Sequence, residues 1–140
     1  MQIVKEILHW KGHDIWSISP YATMFEALKI MDERDVGALV VIDGGRAVGI
    51  ITERDYARKL ILHGKKSHDT AVKDVMTVKF YSVKPDDTAD KCVKLMIAKD
   101  IRHLLVHDGG QLTGILSIKD LAKTLLPGGE NWASPSLLDT

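Results

Sequence analysis

The chain repeats itself. Residues 20–57 laid over 85–122, an offset of 65, give 14 identities in 38 positions without a gap. Pro20 meets Pro85, Thr23 meets Thr88, Asp43-Gly44-Gly45 meets Asp108-Gly109-Gly110, Gly49-Ile50 meets Gly114-Ile115, and Asp55 meets Asp120. Upstream, Val4–Leu8 resembles Val72–Met76 at an offset of 68, so three residues separate the two registers. A repeat of this length confines the fold to two copies of one supersecondary unit sharing a core.

Each copy has the same coarse pattern. A short helical turn (4–10; 72–77) precedes a short strand (15–19; 80–84) that runs into Ser19-Pro20 or Lys84-Pro85, and the proline ends the strand because it has no N–H for a ladder. An amphipathic helix follows over 23–34, with Met24, Ala27, Leu28 and Met31 on one face. Thr23 and Glu26 have the spacing of a capping box. The second copy carries Ala89, Cys92, Val93 and Met96 in the same places. Buried strands are expected over 38–42 and 104–107. Each leads into an Asp-Gly-Gly turn, a strong hairpin signal. Second strands over 47–52 and 112–117 run directly into helices over 53–63 and 118–126. The organisation expected is a first repeat over 1–63, a polar linker over 64–71, a second repeat over 72–126 and a tail over 127–140. The tail is ordered only if Trp132 or Leu137-Leu138 docks.

Composition excludes several functions. Nineteen basic and nineteen acidic side chains cancel over 140 residues, so the chain lacks the basic surplus of a non-specific nucleic-acid binder. The single cysteine, Cys92, rules out an internal disulfide framework and suits a reducing compartment. It falls on an apolar helix face and reads as core. The longest apolar run, 38–42, is far short of the roughly 20 residues that span a bilayer. No targeting segment is read at the start. A soluble cytoplasmic protein is expected.

The chemically informative segments are Gly49-Ile50-Ile51-Thr52-Glu53-Arg54-Asp55 and Gly114-Ile115-Leu116-Ser117-Ile118-Lys119-Asp120. Each has a glycine, two apolar residues, a hydroxyl, a base and an aspartate where a strand becomes a helix. The hydroxyl and the base (Arg54, Lys119) suit a phosphate. The carboxylate suits a pair of sugar hydroxyls. Together they point to a ribonucleotide. Thr-x-x-Asp and Ser-x-x-Asp are also near capping boxes, and the two roles are compatible. Arg102-His103 is a second candidate, as a phosphate clamp or a solvated strand start. The first repeat has only Gly37-Ala38 there, so two sites would differ in anion affinity. His9, His13, His63, His68 and His107 show no metal-ligand spacing with Cys92, and no nucleophile elbow, Walker loop or dinucleotide fingerprint occurs.

The doubled unit, the Pro-x-x-Thr helix entry, the Asp-Gly-Gly hairpin and the Gly-apolar-apolar-Thr/Ser-x-x-Asp closing motif resemble a tandem cystathionine β-synthase (CBS) domain pair, or Bateman module. The stretch Gly49–Arg58 with Arg102-His103 and Leu116–Ile118 looks most like the stand-alone two-repeat bacterial members. The resemblance covers residues 3–126. It implies an α/β (α+β) fold of two pseudo-symmetric β-α-β-β-α repeats packed through their sheets into one disc-like module. It also implies two clefts for adenosine ligands: AMP, with ATP, ADP, NAD(H) and S-adenosylmethionine as alternatives. Carried over by motif position, Asp55 and Asp120 would hold ribose hydroxyls, and Thr52 and Ser117 would touch phosphate or ribose. Arg54 and Lys119 would fill the basic position, and Arg102 and His103 would contact phosphate. Backbone groups near Ile18 and Val83 would read adenine. Leu105 stands where many members have proline. A homodimer, a regulated protein partner, no nucleic acid, no membrane and no metal are expected. A nucleotide sensor leads. An interaction scaffold with vestigial clefts is the alternative. A nucleotide-processing enzyme is the third reading, with His103 its only acid–base group.

Overall fold

A computed structural model describes residues 2–124. The tail over 127–140, with Trp132 and Leu137-Leu138, and the end of the last expected helix lie outside the described residues. Helices and strands are mixed, in two three-stranded sheets. The chain divides into two compact units, a contiguous one, Ile15–Phe80, and a split one that joins the residues through Asp14 to those from Tyr81 on.

In the contiguous unit, β1 (Ser17–Ile18) pairs parallel with β2 (Ala38–Asp43), which pairs antiparallel with β3 (Arg46–Thr52). The Gly44-Gly45 turn has φ values of 60° and 78°, the left-handed pair that a two-residue hairpin requires. The helix α2 (Met24–Arg34) starts at Thr23, whose side chain accepts from the Glu26 N–H. It stops at Asp35, whose φ of 53° is left-handed. Short polar Asp tolerates that conformation better than most residues. Met24, Ala27 and Met31 bury against Leu39, Val41 and Ile51 of the sheet.

The split unit repeats this in detail. β4 (Ser82–Val83), β5 (His103–Asp108) and β6 (Gln111–Ser117) form the sheet in the same order. α5 (Ala89–Lys99) is capped by Thr88 and ended by left-handed Asp100. Cys92 lies fully buried in this core, and burial pushes its thiol up to about 11. Each hairpin slips register at one place, between Val41 and Ile42 and between Val106 and His107.

The opening helices change places. α1 (Val4–Lys11) belongs to the split unit with the second repeat's body, and α4 (Val72–Val75) to the contiguous unit with the first repeat's body. The reason lies in the Pro-x-x-Thr loops. The first N–H groups of a helix have no intrahelical acceptor. Val72 and Lys73 donate theirs to the carbonyls of Ala22 and Pro20. Val4 and Lys5 donate theirs to the carbonyls of Asp87 and Pro85. Return bonds run from Met24 N–H to Thr70 and from Ala89 N–H to Gln2. Residues 64–71 are therefore partly built in. They include a 3-10 turn over Ser67–Asp69 and a buried Thr70.

The closing helix expected over 53–63 is not one regular α-helix. It runs as an α-turn α3 (Glu53–Asp55), a π-turn over Tyr56–Leu60 and a 3-10 turn over Ile61–His63. The widened turn, closed by Ile61 N–H to the Tyr56 carbonyl, accompanies full burial of Leu60. It also accompanies a Lys59 Nζ that reaches Asp55 and the Val75 carbonyl. The corresponding α6 (Ile118–Thr124) is a regular α-helix where described.

Candidate functional site

Both closing motifs are built as reciprocal caps. In the contiguous unit Thr52 is extended. Its Oγ1 accepts from Asp55 N–H at 3.0 Å, while Asp55 Oδ2 accepts from Thr52 N–H at 2.9 Å and from Thr52 Oγ1 at 3.1 Å. Asp55 Oδ1 accepts from Thr77 Oγ1 at 3.1 Å and pairs with Lys59 Nζ at 2.9 Å. A carboxylate offers about four acceptor positions, and all are used by the protein. Asp55 is 6% exposed.

The split unit differs. Ser117 Oγ accepts from Asp120 N–H at 3.1 Å, and Asp120 Oδ2 accepts from Ser117 N–H at 2.8 Å. The same Oδ2 pairs with Lys11 Nζ at 2.7 Å, and that ammonium also donates to the Ile115 carbonyl. Asp120 Oδ1 accepts from no described residue. Asp120 is 7% exposed, so it is as buried as Asp55 with half of its acceptor positions committed.

Arg102 and His103 join this second motif. Ile118 N–H donates to the Arg102 carbonyl at 2.9 Å, and His103 stands opposite Ser117 across the hairpin. Burial, aided by the Lys11 ammonium and opposed by the Asp120 carboxylate, pulls the His103 imidazole down to about 4. It is neutral at neutral pH and contributes one N–H donor rather than a charge. Arg102 and Lys119 are exposed and Arg54 is half-buried.

At the same place in the contiguous unit, Glu53 N–H donates to the Gly37 carbonyl and Ala38 stands opposite Thr52. A Cβ on Gly37 would lie 3.0 Å from Glu53 Oε1. The carboxylate occupies the place where the split unit has a guanidinium stem.

The structure brings together Thr52, Arg54 and Asp55 on one side, and Arg102, His103, Ser117, Lys119 and Asp120 on the other. Ile18 and Val83 stand further along the two sheets. Ile18 pairs with Val41 and Val83 with Val106. Each is three residues further along its sheet than Ala38 or His103, about 10 Å at strand rise. Both side chains are core. The chain reading overlooked Lys59, Thr77 and Lys11. Lys59 was legible as an i,i+4 partner of Asp55. Lys11 lies 109 residues from Asp120, and no local pattern links them.

The motif glycines have a packing role. A Cβ on Gly49 would lie 2.8 Å from Met76 Sδ and 3.0 Å from the Thr77 carbonyl, and one on Gly114 would lie 2.8 Å from Leu8 Cδ2. Leu8 and Met76 are equivalent in the offset-68 register. The exchanged segments press on the sheets at the glycines.

The family model for the CBS domain matches this chain twice, over residues 4–62 and 72–127. The chain belongs to the CBS domain family. A CBS-domain protein from Burkholderia ambifaria MC40-6 is 40% identical, with a TM-score of 0.88 over 91% of this chain and 96% of that one. A mitochondrial CBS domain-containing protein of Arabidopsis thaliana, CBSX3, is 38% identical over 74% of this chain. The chain spans about half (53%) of that relative's length. The CBS domain pair of protein MJ0100, solved with 5′-methylthioadenosine and S-adenosyl-L-methionine, is 25% identical with a TM-score of 0.78 over 89% of this chain and 96% of that one. Among the described residues of this CBS pair, no helix is long and apolar enough to cross a membrane.

Proposed function

We propose that this CBS pair is a cytoplasmic regulatory module that binds an adenosine nucleotide and passes its occupancy to a partner protein. AMP is the leading ligand, with ATP, ADP and NAD(H) as alternatives, and the module works as a homodimer without catalysing a reaction. The observation that carries this reading is the unequal commitment of the two aspartates. Asp120 keeps an oxygen that no described residue engages, beside Arg102, His103 and Lys11. A buried carboxylate with spare acceptor positions suits a vicinal diol, and Arg102 supplies forked donors to a phosphate. The MJ0100 pair, crystallised with two adenosine ligands, supports the ligand class.

Asp55 favours a different part for the contiguous unit. Its acceptor positions are filled, and Glu53 repels an anion near Gly37. That motif therefore acts as a cap, and the split unit's motif is the live one. This vestigial half is the strongest support for the scaffold alternative. Calorimetric titration with AMP, ATP, NADH and adenosine decides between them. Saturable binding that Asp120→Ala abolishes and Asp55→Ala spares, in variants shown to be folded, supports the sensor. Silence with every ligand, in folded protein freed of co-purified nucleotide, supports the scaffold.

A further inference from the structure

We infer that Lys11 selects the ligand's charge in the split unit: while an adenosine ligand takes the uncommitted oxygen of Asp120, the Lys11 ammonium held at the other oxygen offers its remaining N–H to an anionic group on that ligand. This rests on the reading of Asp120 as the ribose-binding carboxylate. Lys11 is the last residue of α1, and its Nζ lies 2.7 Å from Asp120 Oδ2. The pair is well shielded, with side-chain exposures of 23% for Lys11 and 10% for Asp120. An ammonium has three N–H donors, and Lys11 commits one to Asp120 and one to the Ile115 carbonyl. A 5′-phosphate on a ribose held at Asp120 Oδ1 takes the third within the swing of the four-carbon stem, whereas a neutral nucleoside leaves it to water.

The surrounding charges point the same way. The charges of Lys11, Arg102 and Asp120 are all felt at His103, two cations and one anion. Ligand hydroxyls leave the carboxylate's charge in place, so two cations against one anion keep the cluster net positive, and it favours a phosphate over a neutral thioether or a cationic sulfonium. The contiguous unit has no such device. Lys59 holds Asp55 alongside Thr52 and Thr77 and also donates to the Val75 carbonyl at 2.8 Å.

The test titrates AMP and adenosine into wild-type protein and into Lys11→Met. Wild type is expected to prefer AMP. In Lys11→Met, AMP is expected to weaken about tenfold or more, the scale of a charge-assisted hydrogen bond, while adenosine, which has no anionic group for Lys11, holds. Equal weakening of both ligands, or a wild type that prefers adenosine, overturns the role of Lys11 and leaves the nucleotide reading standing. A folded wild type that binds neither ligand defeats the nucleotide reading and this inference with it. If Lys11→Met unfolds, Lys11→Gln, whose amide retains a hydrogen bond to Asp120, is read by the same criteria.

Discussion

Leu8 lies against Gly114 so closely that a Cβ at position 114 would sit 2.8 Å from its Cδ2. The same closeness holds Met76 and Thr77 against Gly49, but there the neighbour includes a backbone carbonyl at 3.0 Å. A leucine tip yields by changing rotamer. A carbonyl in a bridge with Ile50 does not. Gly49→Ala is therefore expected to destabilise by about 2–3 kcal/mol and Gly114→Ala by about 1 kcal/mol, within the range for overpacked cores. Urea unfolding measures both, and Gly114→Ala costing as much as Gly49→Ala would contradict the argument.

Asp55→Asn is expected to destabilise more than Asp120→Asn. The first weakens bonds from Thr52, Lys59 and Thr77, the second those from Ser117 and Lys11. With hydrogen bonds to a charged group each contributing about 1.5–3 kcal/mol, a difference of about 2 kcal/mol should appear in ligand-free thermal or denaturant melts. Equal losses would mean that the additional bonds from Thr52 Oγ1 and Thr77 contribute nothing.

His103 gives the protein an acid-sensitive range. Its imidazole sits at about 4 when folded and near 6.5 when unfolded, so the unfolded state takes up the proton first. The stability present above 6.5 is lost as pH falls from 6.5 to about 4, up to about 3 kcal/mol by linkage. His103→Gln is expected to flatten that part of the stability–pH curve. An unchanged acid slope in the variant would assign the loss to other groups.

Thr23 and Thr88 each accept a backbone N–H three residues on, from Glu26 and Lys91, at 3.1 Å. Replacing either with alanine is expected to cost about 1 kcal/mol, the usual magnitude for an N-cap. The two losses should add in the double variant, because each cap belongs to a different compact unit. Circular dichroism melts test both points.

Much of this was legible in the chain because it rests on local chemistry. Thr23, the paired Gly44-Gly45 turn and the Thr52-x-x-Asp55 box announce their geometry within four residues. The repeat made each reading twice over. The fourteen identities foretold two like halves, each with one sheet. What stayed hidden depends on residues distant in sequence. Lys11 meets Asp120 only after α1 docks on the Pro85 loop. The filling of Asp55 requires Thr77, which arrives with the segment after α4. The π-turn at Tyr56–Leu60 reflects tertiary demand on Leu60 and Lys59, which helical periodicity does not encode.

The exchange of opening helices sets a timetable for synthesis. The contiguous unit is complete once Phe80 has left the ribosome, and everything it packs is then available. The other unit cannot close until its second body has been made. Its first segment, through Asp14, must wait while the 66 residues of Ile15–Phe80 pass. Closing so long a loop around a part already folded is a late step with a larger entropic cost. The nascent protein therefore carries an apolar segment, with Val4, Ile7 and Leu8, unburied until that second body has been made. The duplicated gene segment and the folding unit do not share their ends.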